Sequence, residues 1–308
     1  MSQALSKDNP SLAQQAQPCP AATAPGETSP RLSNTPIDVP IQPRNREYEI
    51  AESLGRDWFD NHPFKTAWFN AMSITFPLGE KFFIDSVRHF ADRIDDPKLL
   101  EDIRGFCGQE GFHRREHQRY NESLCSQRGY DLVALEGRLE RNIELGKKWM
   151  SPLECLASTA AMEHITAILA ESALSDDDPM IGAAEPLMRD LWNWHAAEEL
   201  EHKSVAFDVY RAVGGTEKMR KRTMRASTFF LMVDIMMGLV HMLRRDGNLW
   251  RFSVWADGFR FLFARGGILR RVWPAYKEYF REDFHPWQRD TRDLLEGWKE
   301  TDTASATA

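Results

Sequence analysis

The stretch WHAAEELEHK, Trp194 to Lys203, places two histidines and three glutamates within ten residues. On a helix, residues three and four apart share a face, so His195, Glu199 and His202 form one stripe, with Glu198 beside it and Glu201 pointing elsewhere. Carboxylates and imidazoles are rarely buried without partners, so an inward stripe demands a fold in which other segments bring groups to meet it. Three other segments qualify. In the helix that begins at DDPKLL, with Pro97 near its first turn, Ile103, Phe106, Glu110, His113, His117 and Tyr120 follow alternating steps of three and four. SPLECLASTAAMEHITAILAESAL opens with Ser151 as N-cap and Pro152 at the first helical position, and the stripe Leu153, Leu156, Ala160, Glu163, Ala167, Ala170 puts Glu163 where a core residue belongs. A helix over roughly 64–94, kinked or broken by Pro77, carries Glu80. The preceding FPLG obscures its phase, so an exposed acid at a helix N-terminus is the alternative there. The helix holding the opening stretch starts near Pro186 and stops at VGG.

Four helices, each with an inward glutamate, predict an all-α fold built on a four-helix bundle with additional C-terminal helices. In bundle carboxylate proteins a dinuclear metal centre takes one Glu from each of two helices and Glu-x-x-His from each of the other two. The order here is Glu80, then Glu110 with His113, then Glu163, then Glu199 with His202. Three residues turn about 300°, so the Glu and His of each pair aim at one point from adjacent turns. A single Glu-x-x-His arises about once by chance in such a composition. A third, Glu282 with His285, falls in a loop or helix end because Pro286 follows. The joint occurrence carries the inference: two motifs on separate apolar stripes, interleaved with two lone glutamates. The competing reading is a buried salt-bridge network. The expected metal ligands are Glu80, Glu110, His113, Glu163, His195, Glu199 and His202, the four glutamates also being the catalytic candidates. Glu116, His117 and Glu198 are expected to orient them, Glu116 and His117 through His113. Tyr120 reads as core.

The chain has 308 residues, 42% of them apolar, enough for a sizeable core, and its net charge of −7 argues against a nucleic-acid partner. Residues 1–45, poor in large apolar side chains, read as a disordered tail, 46–215 as the bundle, 216–300 as a C-terminal helical extension packed on it, and 301–308 as a second disordered tail. Cys19, Cys107, Cys125 and Cys155 lack zinc-ribbon spacing, and MSQALSKDNP lacks an apolar signal core, so a cytoplasmic location is expected. TFFLMVDIMMGLVHML is sixteen residues long and contains Asp234, short for a membrane span, so it reads as a fifth, buried helix. RRDGNLWRFSVWADGFRFLFARGGILRRVW spaces Trp, Phe and Arg so that an amphipathic, membrane-peripheral face is one reading and a helix packed with snorkelling arginines the other.

SITFPLGEKFF, FCGQEGFHRREHQRYNE, STAAMEHITA and WHAAEELEHKSVAFDVY resemble the bacterial family of predicted metal-dependent hydrolases over roughly 45–290. That resemblance implies a ferritin-like fold and a metal site. The triplet His195, Glu199, His202 also resembles the fourth-helix ligands of diiron arylamine N-oxygenases, in the ligand pattern alone. A carboxylate-rich site suits two iron or manganese ions better than zinc. The chemistry expected is therefore O2 activation on a hydrophobic small molecule, with an electron donor as partner; homodimerisation is compatible with it. The alternative is a hydrolase: HRREH matches the inverted zinc-peptidase pattern, with His113 and His117 on zinc and Glu116 activating water. A non-catalytic metal-binding bundle is the third reading.

Overall fold

The computed structural model describes residues 32–175 and 180–306. In chain order its helices are α1 (Ala51–Leu54), α2 (Pro63–Arg88), α3 (Pro97–Arg128), α4 (Leu132–Trp149), α5 (Pro152–Ala173), α6 (Pro186–His202), α7 (Val205–Ala212), α8 (Glu217–Arg245), α9 (Phe252–Phe263), α10 (Ile268–Glu278) and α11 (Arg292–Ala306). The fold is all-α; the described residues form no strand beyond an isolated bridge between Phe59 and Ala184.

The four helices that carry the clustered acids start alike. α2, α3, α5 and α6 each have proline at the first position, where a missing N–H costs nothing and φ is already helical. Three have side-chain caps as well: the His62 ring accepts from the Phe64 N–H, the Asp96 carboxylate from Lys98, and Ser151 with Glu154 closes a reciprocal capping box. Gly129, at φ +65°, ends α3 in the left-handed region. α2 packs on α3 and α5 on α6, and the pairs meet through α2–α5 and α3–α6. α8 covers α2 and α5, with Gly238 so near Ala71 that a Cβ there would come within 3.1 Å of the alanine methyl.

Several expectations need correction. Pro77 neither breaks nor ends α2, which runs to Arg88 rather than 94. It deprives the Ser73 carbonyl of its usual helical donor, and the Asn121 side chain supplies one from α3 at 3.0 Å. The last ligand-bearing helix is not continuous to VGG: α6 stops at His202 and α7 resumes at Val205. Residues 32–45 are not a free tail. Ser33 hydrogen-bonds Asp102, Asn34 hydrogen-bonds Asp208, and Arg44 pairs with Glu198 and Glu201, so this strap lies across α3, α6 and α7. At the other end, 301–306 continue α11; residues 1–31 and 307–308 lie outside the described residues.

The apolar segment 228–243 belongs to the 29-residue α8, by length and composition long and apolar enough to cross a membrane. It is half-buried rather than buried: Ile235, Leu239, Met242 and Leu243 face the core, whereas Phe229, Phe230 and Met237 are exposed. In the following segment Val254, Gly258 and Leu262 turn α9 inward, leaving Trp250, Phe252, Phe259 and Phe263 exposed.

Candidate metal centre

The seven expected ligands converge between α2, α3, α5 and α6, and none is more than 5% exposed. Ligand atoms of Glu80, Glu110 and His113 lie within 4.8 Å of one another, and so do those of Glu110, Glu199 and His202, so Glu110 belongs to both groups. Glu163 joins through Oε2, 3.3 Å from His202 Nε2. His195 joins His113 and Glu199 in a further group, its Nε2 3.0 Å from Glu199 Oε1. Both oxygens of Glu80, Glu110 and Glu163, Oε2 of Glu199, Nδ1 of His113 and Nε2 of His202 have no hydrogen-bond partner. Buried polar atoms are rarely left so, and carboxylate oxygens with imidazole nitrogens are the donor set of hard-to-borderline divalent cations. The residues therefore fit a metal site.

Two polar networks hold the imidazoles from behind. Arg44 Nη1 lies 3.1 Å from Glu198 Oε1, and Glu198 Oε2 lies 3.0 Å from His113 Nε2, off line for a hydrogen bond but on the side away from the cluster. The same guanidinium grips Glu201, which accepts from Gln109 Nε2 at 2.7 Å, and Gln109 Oε1 accepts from His202 Nδ1 at 2.9 Å. That bond leaves His202 Nε2 for the cluster.

The second network fixes a tautomer. Because Asn121 Nδ2 is committed to the Ser73 carbonyl, its Oδ1 faces Ser73 Oγ and accepts from it at 2.8 Å. Ser73 Oγ must then accept from His117 Nδ1 at 2.9 Å, so His117 Nε2 accepts from His195 Nδ1 at 2.8 Å. The relay thus places a proton on His195 Nδ1 and turns Nε2 toward Glu199 and the cluster. Phe76 stacks on the His195 ring at 5.1 Å and meets His117 edge-on at 4.7 Å.

Burial and mutual repulsion govern the charge of the cluster. Burial pushes Glu80 and Glu110 well above the usual carboxylate range, with the neighbouring acids adding to it. Burial likewise raises Glu163 to about 7, against the pull of His202. Burial alone would lower His202, but Glu199 and Glu163 prevail and hold it at about 10; burial would raise Glu199, yet His202 and His195 keep it low. His113 and His117 stay neutral, desolvation and the neighbouring His195 depressing both. A proton on His202 thus offsets part of the charge of the buried acids, and divalent cations would offset more.

One wall of the cluster opens. A cavity of about 60 Å³ reaches His195 and Glu199 and is lined otherwise by apolar groups, among them Phe69, Met72, Phe76 and Trp192, with Thr166 the sole further polar side chain.

Of the expected orienting residues, Glu198 stands behind His113, but His117 holds His195 rather than His113. Glu116 faces away altogether, accepting from the Tyr48 N–H and from Arg115 and Arg119. The HRREH pattern therefore does not assemble as two zinc-binding histidines with an adjacent base. Glu201 points off the stripe, as its helical phase requires, and is fully buried in the Arg44 network. His285, of the third Glu-x-x-His, caps the short turn Pro286–Gln288 and pairs with Asp208, far from this chemistry. Arg44, Ser73, Gln109 and Asn121 were not foreseen; Gln109 and Glu201, each beside a ligand in sequence, carried the only signal. No curated protein and no solved structure matches the chain, but the model of the family described as predicted metal-dependent hydrolase matches residues 42–290, the whole of this cluster included, and the chain belongs to that family.

Proposed function

We propose that Glu80, Glu110, His113, Glu163, His195, Glu199 and His202 hold two divalent metal ions in a ferritin-like bundle, and that the centre oxidises a hydrophobic small molecule with O2. The observation that carries this is the set of buried, unpartnered carboxylate and imidazole atoms around Glu110, facing an apolar cavity. Four carboxylates would balance two divalent charges, and Glu110, present in both groups, would help hold each ion. Iron or manganese bound there supplies O2 reduction; when one oxygen atom enters the product and the other leaves as water, two electrons and two protons come from an external donor.

The chain's own residues do the rest. Glu198 and Gln109 orient His113 and His202, and the Asn121–Ser73–His117 relay holds His195 Nε2 inward. Phe76 and Trp192 exclude water from the side where Glu199 and His195 meet the cavity. Thr166 apart, the rest of that wall is apolar, which suits a hydrophobic substrate. The second reading, hydrolysis by metal-activated water at the same cluster, is favoured by the family's description.

Metal analysis of the purified protein with O2-uptake measurements on the reduced, iron-loaded form tests both. Two ions per chain with O2 consumption is expected. One ion per chain sinks the dinuclear centre. Turnover of ester or amide substrates that continues anaerobically with zinc sinks the oxidative reading and establishes the hydrolytic one.

A further inference from the structure

We propose that the cavity between α4 and α8 is a binding chamber for an uncharged, elongated apolar small molecule, and that α4 is its lid. The chamber spans about 430 Å³, within the range of small-molecule sites, and opens to solvent past Leu145, Trp149 and Phe230. Amphipathic helices normally bury their apolar stripe in a core. α4, 18 residues long, has no buried residue; Leu139, Ile143 and Gly146 on its inner face line the chamber instead. A helix with so little buried apolar contact opens at low cost.

The lining chooses the ligand. Its single charged residue is Asp234, half-buried and already paired with Arg138 and Asn142, each at 3.4 Å. No cationic side chain lines the chamber, so a carboxylate or phosphate would be desolvated there beside an acid without compensation. A hydrocarbon, ketone or alcohol meets no such penalty, and Ser158 and Ser227, hydrogen-bonded to each other at 2.8 Å, can serve a hydroxyl at one end.

The shape argues for length. Phe76, Met162, Thr166 and Leu231 line both this chamber and the smaller cavity at His195 and Glu199, so they are the partition between the two. Met162 is unbranched and flexible, and its rotation together with Phe76 would join the spaces into one path. Delivery of the ligand's far end to the metals rests on the function proposed above; binding in the chamber does not.

The test uses the full-length protein, metal-free and metal-loaded, with the neutral fluorophore N-phenyl-1-naphthylamine. Saturable binding at one site per chain is expected, displaced by 1-dodecanol at a concentration about tenfold or more below that required of laurate. Gly146→Phe on α4 and Ala226→Phe on α8 fill the chamber from opposite walls and should each weaken the fluorophore about tenfold or more, with metal content and helical circular dichroism unchanged. Phe259→Ser, on the exposed face of α9, should leave binding intact. Binding that survives both filling variants, or that is lost in Phe259→Ser, overturns the chamber. Equal displacement by laurate and dodecanol in the wild type overturns the uncharged ligand, a comparison that needs no variant to fold. Two metals per chain without fluorophore binding defeats this inference alone, whereas binding without metals defeats only the function proposed above.

Discussion

Replacing Arg44 with alanine should loosen two candidate ligands at once, although Arg44 touches neither. Its guanidinium reaches Glu198 at 3.1 Å and Glu201 at 2.6 Å, and both carboxylates are fully buried while Arg44 is 22% exposed. Removing one partner of a buried ion pair costs about 3–5 kcal/mol, because the remaining charge is stranded. Water at the exposed edge of Arg44 argues for the lower end, about 3 kcal/mol. At about 2–4 °C per kcal/mol for a chain of this size, Tm of the metal-free protein should fall by roughly 6–12 °C. Glu198 then loses the group that sets it against His113, and Glu201 the group that holds Gln109 against His202. Losing such outer partners lowers metal affinity about 10–100-fold. Arg44→Lys keeps a charge but not the two-pronged grip, and should fall between. Calorimetry of the metal-free protein and metal titration against a competing chelator give the two readouts. A lower Tm with unchanged metal affinity would show that Arg44 only clamps the strap to the bundle. No change in either would refute the reasoning about stranded charge.

Asn121→Leu should destabilise the protein by about 1–3 kcal/mol, since it leaves the Ser73 carbonyl without a donor and the Ser73 hydroxyl proton without an acceptor, and should weaken metal binding by loosening the Ser73 hold on His117; denaturant titration and metal analysis check it. Burial alone would raise Asp96, but the N–H groups of Ser33, Leu32 and Lys98 hold it below the usual carboxylate range. The stability it gives is therefore complete above about 3.9 and is lost as pH falls through its lower folded value. Hydrogen exchange at residues 32–34 should quicken over that acid range, and Asp96→Asn should cost about 1.5–3 kcal/mol at neutral pH and abolish this acid dependence. His195→Ala should fold and hold metal through Glu110, His113, Glu163 and His202 but lose normal O2 uptake, with His195→Gln recovering little; wild-type oxygen kinetics in His195→Ala would make the ring a packing residue.

The acids on the apolar stripes were legible because they break the rule of their own helices. Glu110, Glu163 and Glu199 sit at positions that periodicity assigns to the core, and a buried charge without a sequence neighbour to pair with announces a partner elsewhere. The prolines at 97, 152 and 186 marked helix starts for a local reason, and local reasons survive into the structure. Three features escaped for the opposite cause. The strap at 32–45 contributes few large apolar side chains, so composition reads it as tail; its attachment is polar, Asn34 to Asp208 and Arg44 to Glu198 and Glu201. α4 escaped because only its first turn, through Leu132 and Leu135, packs on the core, and the rest of its apolar face covers a cavity. Pro77 was misread because the consequence of a missing N–H depends on what stands opposite it. In water the freed Ser73 carbonyl would weaken the helix; beside Asn121 it becomes the acceptor that fixes an amide, and through Ser73 and His117 that amide decides which nitrogen of His195 faces the cluster. A residue that reads as a defect in one helix thus sets the orientation of a candidate ligand on another, four hydrogen bonds away.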